Sequence, residues 1–255
     1  MNNRKHLLRN AVSACLAGGL ASGAPAFAQQ NTLEEVIVTA TKREMSVQDV
    51  PVSIGVVSGD FIHKFEVKDM TELQNYVPGL QVQATFGSWA VRVRGLGSGI
   101  TNLAFDSSVP VYIDGVYCGR GKCLESAFLD ISRMEVARGP QGALFGKSTI
   151  AGAISVISAP PTDEFEAQIK VGAELENGGV ATSGHISGPL GDSLAGRLAF
   201  KYEEVDGFVD NPFVSDEEPE QESWGVRGTL RWDVTGTTDI SLKVEAGDAE
   251  TDGRT

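Results

Sequence analysis

The sequence is poor in cysteine and histidine, which leaves few residues for thiolate or imidazole catalysis and few ligands for a zinc or iron–sulfur site. It contains three cysteines and three histidines in 255 residues. Beyond residue 28 the histidines are His63 and His185, and they form no triad, metal-ligand or paired-carboxylate spacing with Asp106 or Asp114. The sequence therefore predicts no catalytic residue, no metal and no cofactor, and we do not expect an enzyme.

Positive charge is also scarce. The chain has 21 lysines and arginines against 34 acidic residues, for a net charge of −13. Such acidity disfavours nucleic acid and anionic lipid head groups as partners. An exported protein kept soluble by its charge has the same composition, so the acidity alone does not choose between these explanations.

The glycine-rich segment VARGPQGALFGKSTIAGAISVI, residues 136–157, lacks the spacing of a nucleotide phosphate loop. Such a loop needs two glycines separated by four residues directly before Lys-Ser or Lys-Thr. Here Gly146 precedes Lys147 and Ser148, but Gln141 occupies the position of the first glycine. Because the backbone N–H groups must converge on one phosphate, we expect no nucleotide and look for another role for the glycines.

The first 28 residues have the three parts of a secretory signal peptide. Arg4, Lys5 and Arg9 precede an apolar run at residues 11–21, which is too short to span a bilayer as a helix. Residues 26–28, Ala-Phe-Ala, then form a cleavage site. We expect export with cleavage after residue 28, which removes three positive charges and shifts the net charge from −13 to −16.

Two cysteines remain after the signal peptide is removed. Cys118 and Cys123 lie in YCGRGKCLE with four residues between them, and export places them in an oxidising compartment. A disulfide that closes this small loop would contribute about 2 kcal/mol in the chain-entropy model. A zinc or iron–sulfur site is the alternative, but it would need further ligands, and neither histidine is close in sequence.

Residues 52–161 have the pattern of a compact α+β domain. Helices are predicted at DFIHKF and over residues 68–80, the second with Asp69 and Glu72 at capping-box spacing. The pair Asp114-Gly115 between two β-prone segments predicts a hairpin. Further strands are predicted at VSIGVVSG, WAVRVRG, ISRMEVARG and GAISVIS, and two prolines at 160 and 161 end the domain.

After residue 161 the pattern changes to five alternating segments of about ten residues, which is typical of transmembrane β-strands. A small soluble β-sandwich is the alternative. The acidic stretch VSDEEPEQES is predicted to be a loop between strands. The five segments are FEAQIKVGAELE, GVATSGHISGPL, SLAGRLAFKYEE, SWGVRGTLRWDV and DISLKVEAGDAE.

Four segments, taken in order, resemble the N-terminal part of TonB-dependent outer-membrane receptors: EEVIVTA, VRVRG, PVYIDGVY and RMEVARGPQGALFGKSTIAGAISVIS. The resemblance covers residues 34–160. It implies an α+β plug domain followed by the start of an antiparallel transmembrane β-barrel, with about five of roughly 22 strands, in an incomplete chain. The implied domains are a signal peptide (1–28), a TonB box and linker (29–50), a plug (51–161) and the N-terminal part of the barrel (162–255).

The resemblance assigns a TonB-binding box whose β-prone centre has no partner strand close by in sequence. Such a strand could stay available for another protein's sheet edge, and an ordinary first strand is the alternative. The plug-turn glycines follow from the same match, since glycine permits tight turns and close backbone approach. The box residues are Glu35, Val36, Ile37, Val38, Thr39 and Ala40, and the plug-turn glycines are Gly95, Gly139, Gly142, Gly146 and Gly152.

The resemblance also implies a plug–barrel contact role for two arginines, and two aromatic residues are candidates for contact with the ligand. Arg94 and Arg138 match plug arginines that face barrel-wall glutamates in the family, although surface arginines before a glycine would look the same. Phe86 and Trp89 are candidates for the ligand side of the plug, with ordinary packing as the alternative. The cysteine pair is not a usual family feature.

The function implied by the resemblance is TonB-dependent uptake of a scarce solute, foremost an iron–siderophore complex, across the bacterial outer membrane. The implied partners are the periplasmic domain of TonB with its inner-membrane energising complex, outer-membrane lipid and a small extracellular ligand such as a ferric siderophore. A stand-alone periplasmic plug-like binding fragment, or an inactive truncated receptor, is the alternative.

Overall fold

The computed structural model describes residues 37–38, 45–85, 88–98, 107–118, 128–173, 178–206, 209–211, 216–218 and 220–252. The elements up to residue 161 are ten short strands and three short helices within these ranges. The strands are β1 (Ile37–Val38), β2 (Met45–Ser46), β3 (Ile54–Ser58), β4 (Leu80–Thr85), β5 (Ser88–Val93), β6 (Leu96–Gly97), β7 (Val111–Ile113), β8 (Val116–Cys118), β9 (Ile131–Arg138) and β10 (Gly152–Ser158), and the helices are α1 (Gly59–Lys64), α2 (Met70–Leu73) and α3 (Gly142–Phe145).

A mixed five-stranded sheet, the plug sheet, organises this part of the chain. Its strand order is β3-β9-β10-β7-β8, with β9 antiparallel to both neighbours and β10 parallel to β7. On one face of this sheet, alternate side chains of the central strands point into the core. There they pack against helices α1 and α2 and against the smaller sheet β4-β5-β6. The core includes Met134, Val136, Ile154, Val156, Ile62, Met70, Leu73, Val82, Val91 and Val93.

Side-chain caps start the two helices that cover this core. The Ser58 hydroxyl accepts a hydrogen bond from the Phe61 N–H at 3.2 Å and begins α1. Asp69 accepts from the Glu72 N–H at 2.8 Å and begins α2, while the Glu72 carboxylate accepts from the Lys68 N–H at 2.7 Å. These contacts satisfy backbone donors that have no partner inside the helix.

The second helix is much shorter than the sequence predicts. It ends at Leu73, and the chain continues to Gly79 in turns. The side chain of Gln74 accepts a hydrogen bond from the Val82 N–H at 3.1 Å. This contact ties the end of α2 to β4, so tertiary structure replaces the further helical turn that the sequence pattern favours.

The hairpin predicted at Asp114-Gly115 is present. Both residues have positive φ angles, 48° and 81°, as a two-residue type I′ turn requires. The turn joins β7 to the sheet edge β8 in the register Ile113 opposite Val116.

A second sheet, the wall sheet, contains the five segments that the sequence predicts. All neighbouring strands are antiparallel, in the order β11-β12-β13-β16-β17. Part of the predicted acidic loop is instead structured, because β16 begins at Glu220 and a short hairpin precedes it. The strands are β11 (Glu166–Ala173), β12 (Gly179–Pro189), β13 (Leu194–Val205), β14 (Val209–Asn211), β15 (Asp216–Glu218), β16 (Glu220–Thr235) and β17 (Thr238–Asp252).

The two faces of the wall sheet differ in chemistry. One face exposes large apolar side chains, whereas the other turns small and basic residues such as Ala199 and Arg227 toward the plug sheet, where they are buried. In the described residues β11 and β17 remain unpaired edges, so the sheet is open. The exposed apolar face includes Ile169, Val171, Leu198, Trp224, Leu230, Trp232, Leu242 and Val244.

Among the described residues, none of the helices is long and apolar enough to cross a membrane.

Candidate functional site

The centre of the predicted box forms a strand, but it has a partner that the sequence did not indicate. Ile37 pairs with Ser46 and Val38 with Met45 in an antiparallel ladder. Val38 is fully buried and Ile37 is 51% exposed. The expectation of a strand with no neighbour close in sequence is therefore wrong, because two residues are enough to form this pairing and carry no recognisable pattern. Glu35, Val36, Thr39 and Ala40 lie outside the described residues.

The two predicted plug arginines meet at one residue, Ser53. The Arg94 guanidinium donates to the Ser53 hydroxyl at 3.1 Å, and the backbone N–H of Arg138 donates to the Ser53 carbonyl at 2.9 Å. Arg94 has a φ of 53° directly after β5. Ser53 lies between the box segment and β3, so both arginines contact the connection from the box to the plug sheet.

The guanidinium of Arg138 lies over Gly55. A Cβ on Gly55 would approach Arg138 Nη2 to 2.8 Å, so glycine leaves the space that the guanidinium fills. Arg138 Nε is buried with no hydrogen-bond partner among the described residues, and neither Arg94 nor Arg138 has an ion pair in that part of the chain. Their pairing with barrel glutamates stays a prediction.

The glycine-rich turn contains a short helix, α3, that the sequence did not predict. The buried Tyr112 hydroxyl donates to the Phe145 carbonyl at 2.6 Å and holds the end of this helix on the plug sheet. Burial, with a smaller contribution from Tyr117, raises the pKa of Tyr112, so it remains a donor. The N–H groups of Gly139 and Gln141 donate to backbone carbonyls of the plug, which accounts for them without a phosphate.

The predicted turn glycines have different structural roles. Gly95, Gly139 and Gly146 have φ angles of 78°, 89° and 80° with open space around them. At Gly152 a Cβ would overlap the carbonyl oxygen of Ala137 on the neighbouring strand. Gly142, inside α3, has neither constraint, since a Cβ added there would lie 4.0 Å from its nearest neighbour, the Thr149 hydroxyl.

The structure describes the remaining predicted residues only in part. Trp89 packs against the plug core and Cys118 is disulfide-bonded. Phe86 and Cys123 lie outside the described residues. A ligand-side role for Phe86 and Trp89 therefore stays a prediction, and so does Cys123 as the disulfide partner of Cys118.

The plug and wall sheets meet through contacts that sequence reasoning missed. Asp130 binds Arg197 on β13, Asp114 binds Lys243 on β17, and the Leu129 carbonyl accepts from Arg227 on β16. The three wall residues are basic and lie at inward positions of strands in which apolar and polar residues alternate. This alternation was the sequence signal that could have predicted the contacts, since an inward charge in such a strand requires a partner.

A cavity of about 480 Å³ lies between the end of α1 and wall strands β11 to β13. Both His63 and His185 line it. Burial, followed by the charge of Lys170, lowers the pKa of His63. Glu203 is paired with Lys201 at 2.8 Å and with Lys68 at 3.5 Å. Part of the charged lining of the cavity is therefore paired within the interface.

Comparison with known proteins identifies the family. The sequence pattern of the TonB-dependent Receptor Plug Domain matches residues 46–153. Residues 46–153 therefore belong to this plug-domain family. The chain is 27% identical over 195 residues to the iron-regulated outer membrane virulence protein of Vibrio cholerae, covering 72% of this chain and 30% of that protein. It is 29% identical over 198 residues to the vitamin B12 transporter BtuB of Photobacterium profundum, covering 75% and 32%.

The fold of the chain is also similar to that of a solved structure. The pyoverdine outer membrane receptor FpvA from Pseudomonas aeruginosa PAO1, bound to pyoverdine, superposes with a TM-score of 0.69 at 20% identity. The match covers 84% of this chain and 30% of FpvA. The chain thus has a plug domain followed by the first strands of a barrel, and it spans about a third of the length of the relatives it matches.

Proposed function

We propose that this chain is the N-terminal part of a receptor that takes up a scarce solute across the bacterial outer membrane with energy delivered through TonB. The observation that carries the proposal is a plug domain whose sheet is fixed against barrel strands and is preceded by a short β-strand at the predicted box. The relatives named above are an iron-regulated outer-membrane protein and a vitamin B12 transporter.

An iron–siderophore complex is the proposed cargo. A ferripyoverdine receptor of Pseudomonas aeruginosa and a ferrioxamine B receptor of Salmonella typhimurium match this chain at 25% and 27% identity. The vitamin B12 transporter matches equally well, so cobalamin is the first competitor to be measured. The exposed apolar face of the wall sheet supports contact with outer-membrane lipid. The signal peptide is expected to deliver the chain there.

The mechanism begins with release of the box. Ile37 and Val38 are paired with β2, and TonB would take over this pairing by strand addition, using main-chain hydrogen bonds. Tension on the box then reaches Ser53, the residue that Arg94 and Arg138 contact. We propose that these arginines, with barrel glutamates as partners, form the arginine latch that holds the plug until TonB pulls.

The test compares two substitutions at Val38 in the protein expressed from its complete reading frame. Val38→Pro removes the backbone N–H, whereas Val38→Ala removes only the side chain beyond Cβ. Uptake of radio-iron bound to hydroxamate or catecholate siderophores, and of labelled cobalamin, is measured alongside binding to intact cells. We expect Val38→Pro to abolish uptake of the bound ligand at unchanged binding and Val38→Ala to retain most of it. Normal uptake by Val38→Pro would refute TonB pairing at this strand.

A further inference from the structure

Two aspartates mark the end of the plug sheet that lies away from Arg138. Asp114 occupies the turn after β7, and Asp130 directly precedes β9. Since β9 is antiparallel to β10 and β10 is parallel to β7, the start of β9 and the end of β7 lie at the same end of the sheet. Both aspartates have left-handed φ angles, 48° and 49°. Asp and Asn tolerate this conformation better than most other residues.

Asp130 makes a two-pronged ion pair with the wall sheet. Arg197 Nε donates to Asp130 Oδ2 at 2.6 Å and Arg197 Nη2 donates to Oδ1 at 2.7 Å. The Arg197 and Asp130 side chains are only 6% and 8% exposed. Arg197 Nη1 also binds Glu166 on β11, and His185 lies 3.4 Å from the same carboxylate. Parallel N–H to carboxylate bonds of this kind are strong and fix orientation.

Asp114 makes the second contact. Its carboxylate binds Lys243 on β17 and accepts from the N–H and hydroxyl of Ser158, each at 2.9 Å. Burial acts to raise the pKa of Asp114, but the hydrogen bonds and charge of Lys243 and the bonds from Ser158 outweigh it, so the pKa is lowered. The carboxylate is therefore held in its charged form against the wall.

A third wall base joins the same end of the sheet. The Arg227 side chain is 2% exposed, is paired with Glu245 at 2.8 Å, and donates to the carbonyl of Leu129 next to Asp130. Strands β13, β16 and β17 thus each supply at least one base to this end of the plug. The polarity is opposite to that of the arginine latch, in which the plug supplies the bases.

We propose that Asp114 and Asp130 form a second plug latch, the aspartate latch, in which plug carboxylates bind wall bases and keep the plug seated independently of TonB. The proposal rests on the proposed function, in that the complete protein has a barrel which the plug closes. Removing one partner of a buried ion pair leaves the other charge uncompensated, whereas removing both can be nearly neutral. If the ion pairs keep the plug seated, substituting both partners of one pair should therefore unseat the plug less than the sum of the two single substitutions.

The experiment uses the protein from its complete reading frame in a host that lacks TonB, with sensitivity to vancomycin as the measure of passive leak. Asp130→Asn keeps a residue that tolerates the left-handed φ and removes only the charge, and Arg197→Gln removes the partner. We expect each single variant to raise sensitivity about tenfold, and the double variant to leak no more than the worse single one. The control is Asp163→Asn, because the Asp163–Arg231 pair is also an ion pair with a wall arginine, but Asp163 lies in the connection between β10 and β11 and is 84% exposed.

Receptor amount in the outer membrane is measured for every variant. If Asp130→Asn does not reach the membrane, Asp114→Asn and Lys243→Met, singly and together, decide by the same criterion, because this pair is more exposed at 27% and 29%. Wild-type exclusion of vancomycin by properly inserted single variants would overturn the latch, as would equal leak from Asp163→Asn. Because TonB is absent throughout, a failed uptake test with Val38→Pro leaves these results interpretable.

Discussion

Alanine substitutions at the turn glycines form a graded test of the plug structure. The sequence groups Gly139, Gly142, Gly146 and Gly152 as one glycine-rich turn, but the structure gives them three different environments. Gly152→Ala places a Cβ on the backbone carbonyl of Ala137, which no rotation of a side chain relieves. The plug should therefore respond differently to the same substitution at each position.

The magnitudes follow from these environments. Overpacking a well-packed site costs about 1–3 kcal/mol, and Gly152→Ala should lie at the upper end because backbone must move. Gly139→Ala and Gly146→Ala force an L-residue to a positive φ, at roughly 1–3 kcal/mol each, and Gly146 also has a ψ of −151°, a combination that essentially only glycine adopts. Gly142→Ala meets no atom closer than ordinary van der Waals contact and reduces the freedom of the unfolded chain, so a gain of about 0.4–1 kcal/mol is expected.

Amide hydrogen exchange of β10 in the purified receptor measures these differences, since about 1.4 kcal/mol changes protection tenfold. Protection should fall most for Gly152→Ala, less for Gly139→Ala and Gly146→Ala, and rise or stay constant for Gly142→Ala. Equal loss at Gly142 and Gly152, or full protection in Gly152→Ala, would refute the reasoning from close approach.

Two further predictions concern the plug core and its pH dependence. Leu73→Ala removes a side chain with 0% exposure and should lower the free energy of unfolding by about 2–5 kcal/mol, seen as faster protease cleavage of the plug; unchanged cleavage would contradict its place in the core. The lowered pKa of His63 means that the unfolded chain binds more protons as pH falls below 6.5, so plug stability should decrease there. His63→Gln should flatten this part of the Tm–pH profile, and an unchanged profile would exclude His63 as the cause.

The elements that depend on residues close together in the sequence were predictable. The Asp114-Gly115 turn depends on two residues with positive φ, and the wall strands depend on alternation, so both were found. The length of α2 was not, because the bond between Gln74 and Val82 is a tertiary contact. Helix α3 was missed since its Gly142 weakens the helical pattern.

The contacts between distant residues were not predictable from one sequence. Arg94 reaches Ser53 across 41 positions and Arg197 reaches Asp130 across 67. Residues so far apart share no periodicity, and only the folded sheets bring them together. The family resemblance pointed to Arg94 and Arg138 as contact residues. It gave no indication that Asp114 and Asp130 bind basic residues of the wall sheet.

Contact between the box strand and TonB is the most direct measurement of the central claim. A photo-reactive amino acid is placed at Ile37, which is 51% exposed, or at Leu96, which is 61% exposed on the plug, in the protein from its complete reading frame. After irradiation of energised cells, we predict an adduct with TonB from position 37, none from position 96, and its loss when Val38→Pro is added. Absence of the adduct from position 37 in membrane-inserted receptor, or an equal yield from position 96, would contradict the account.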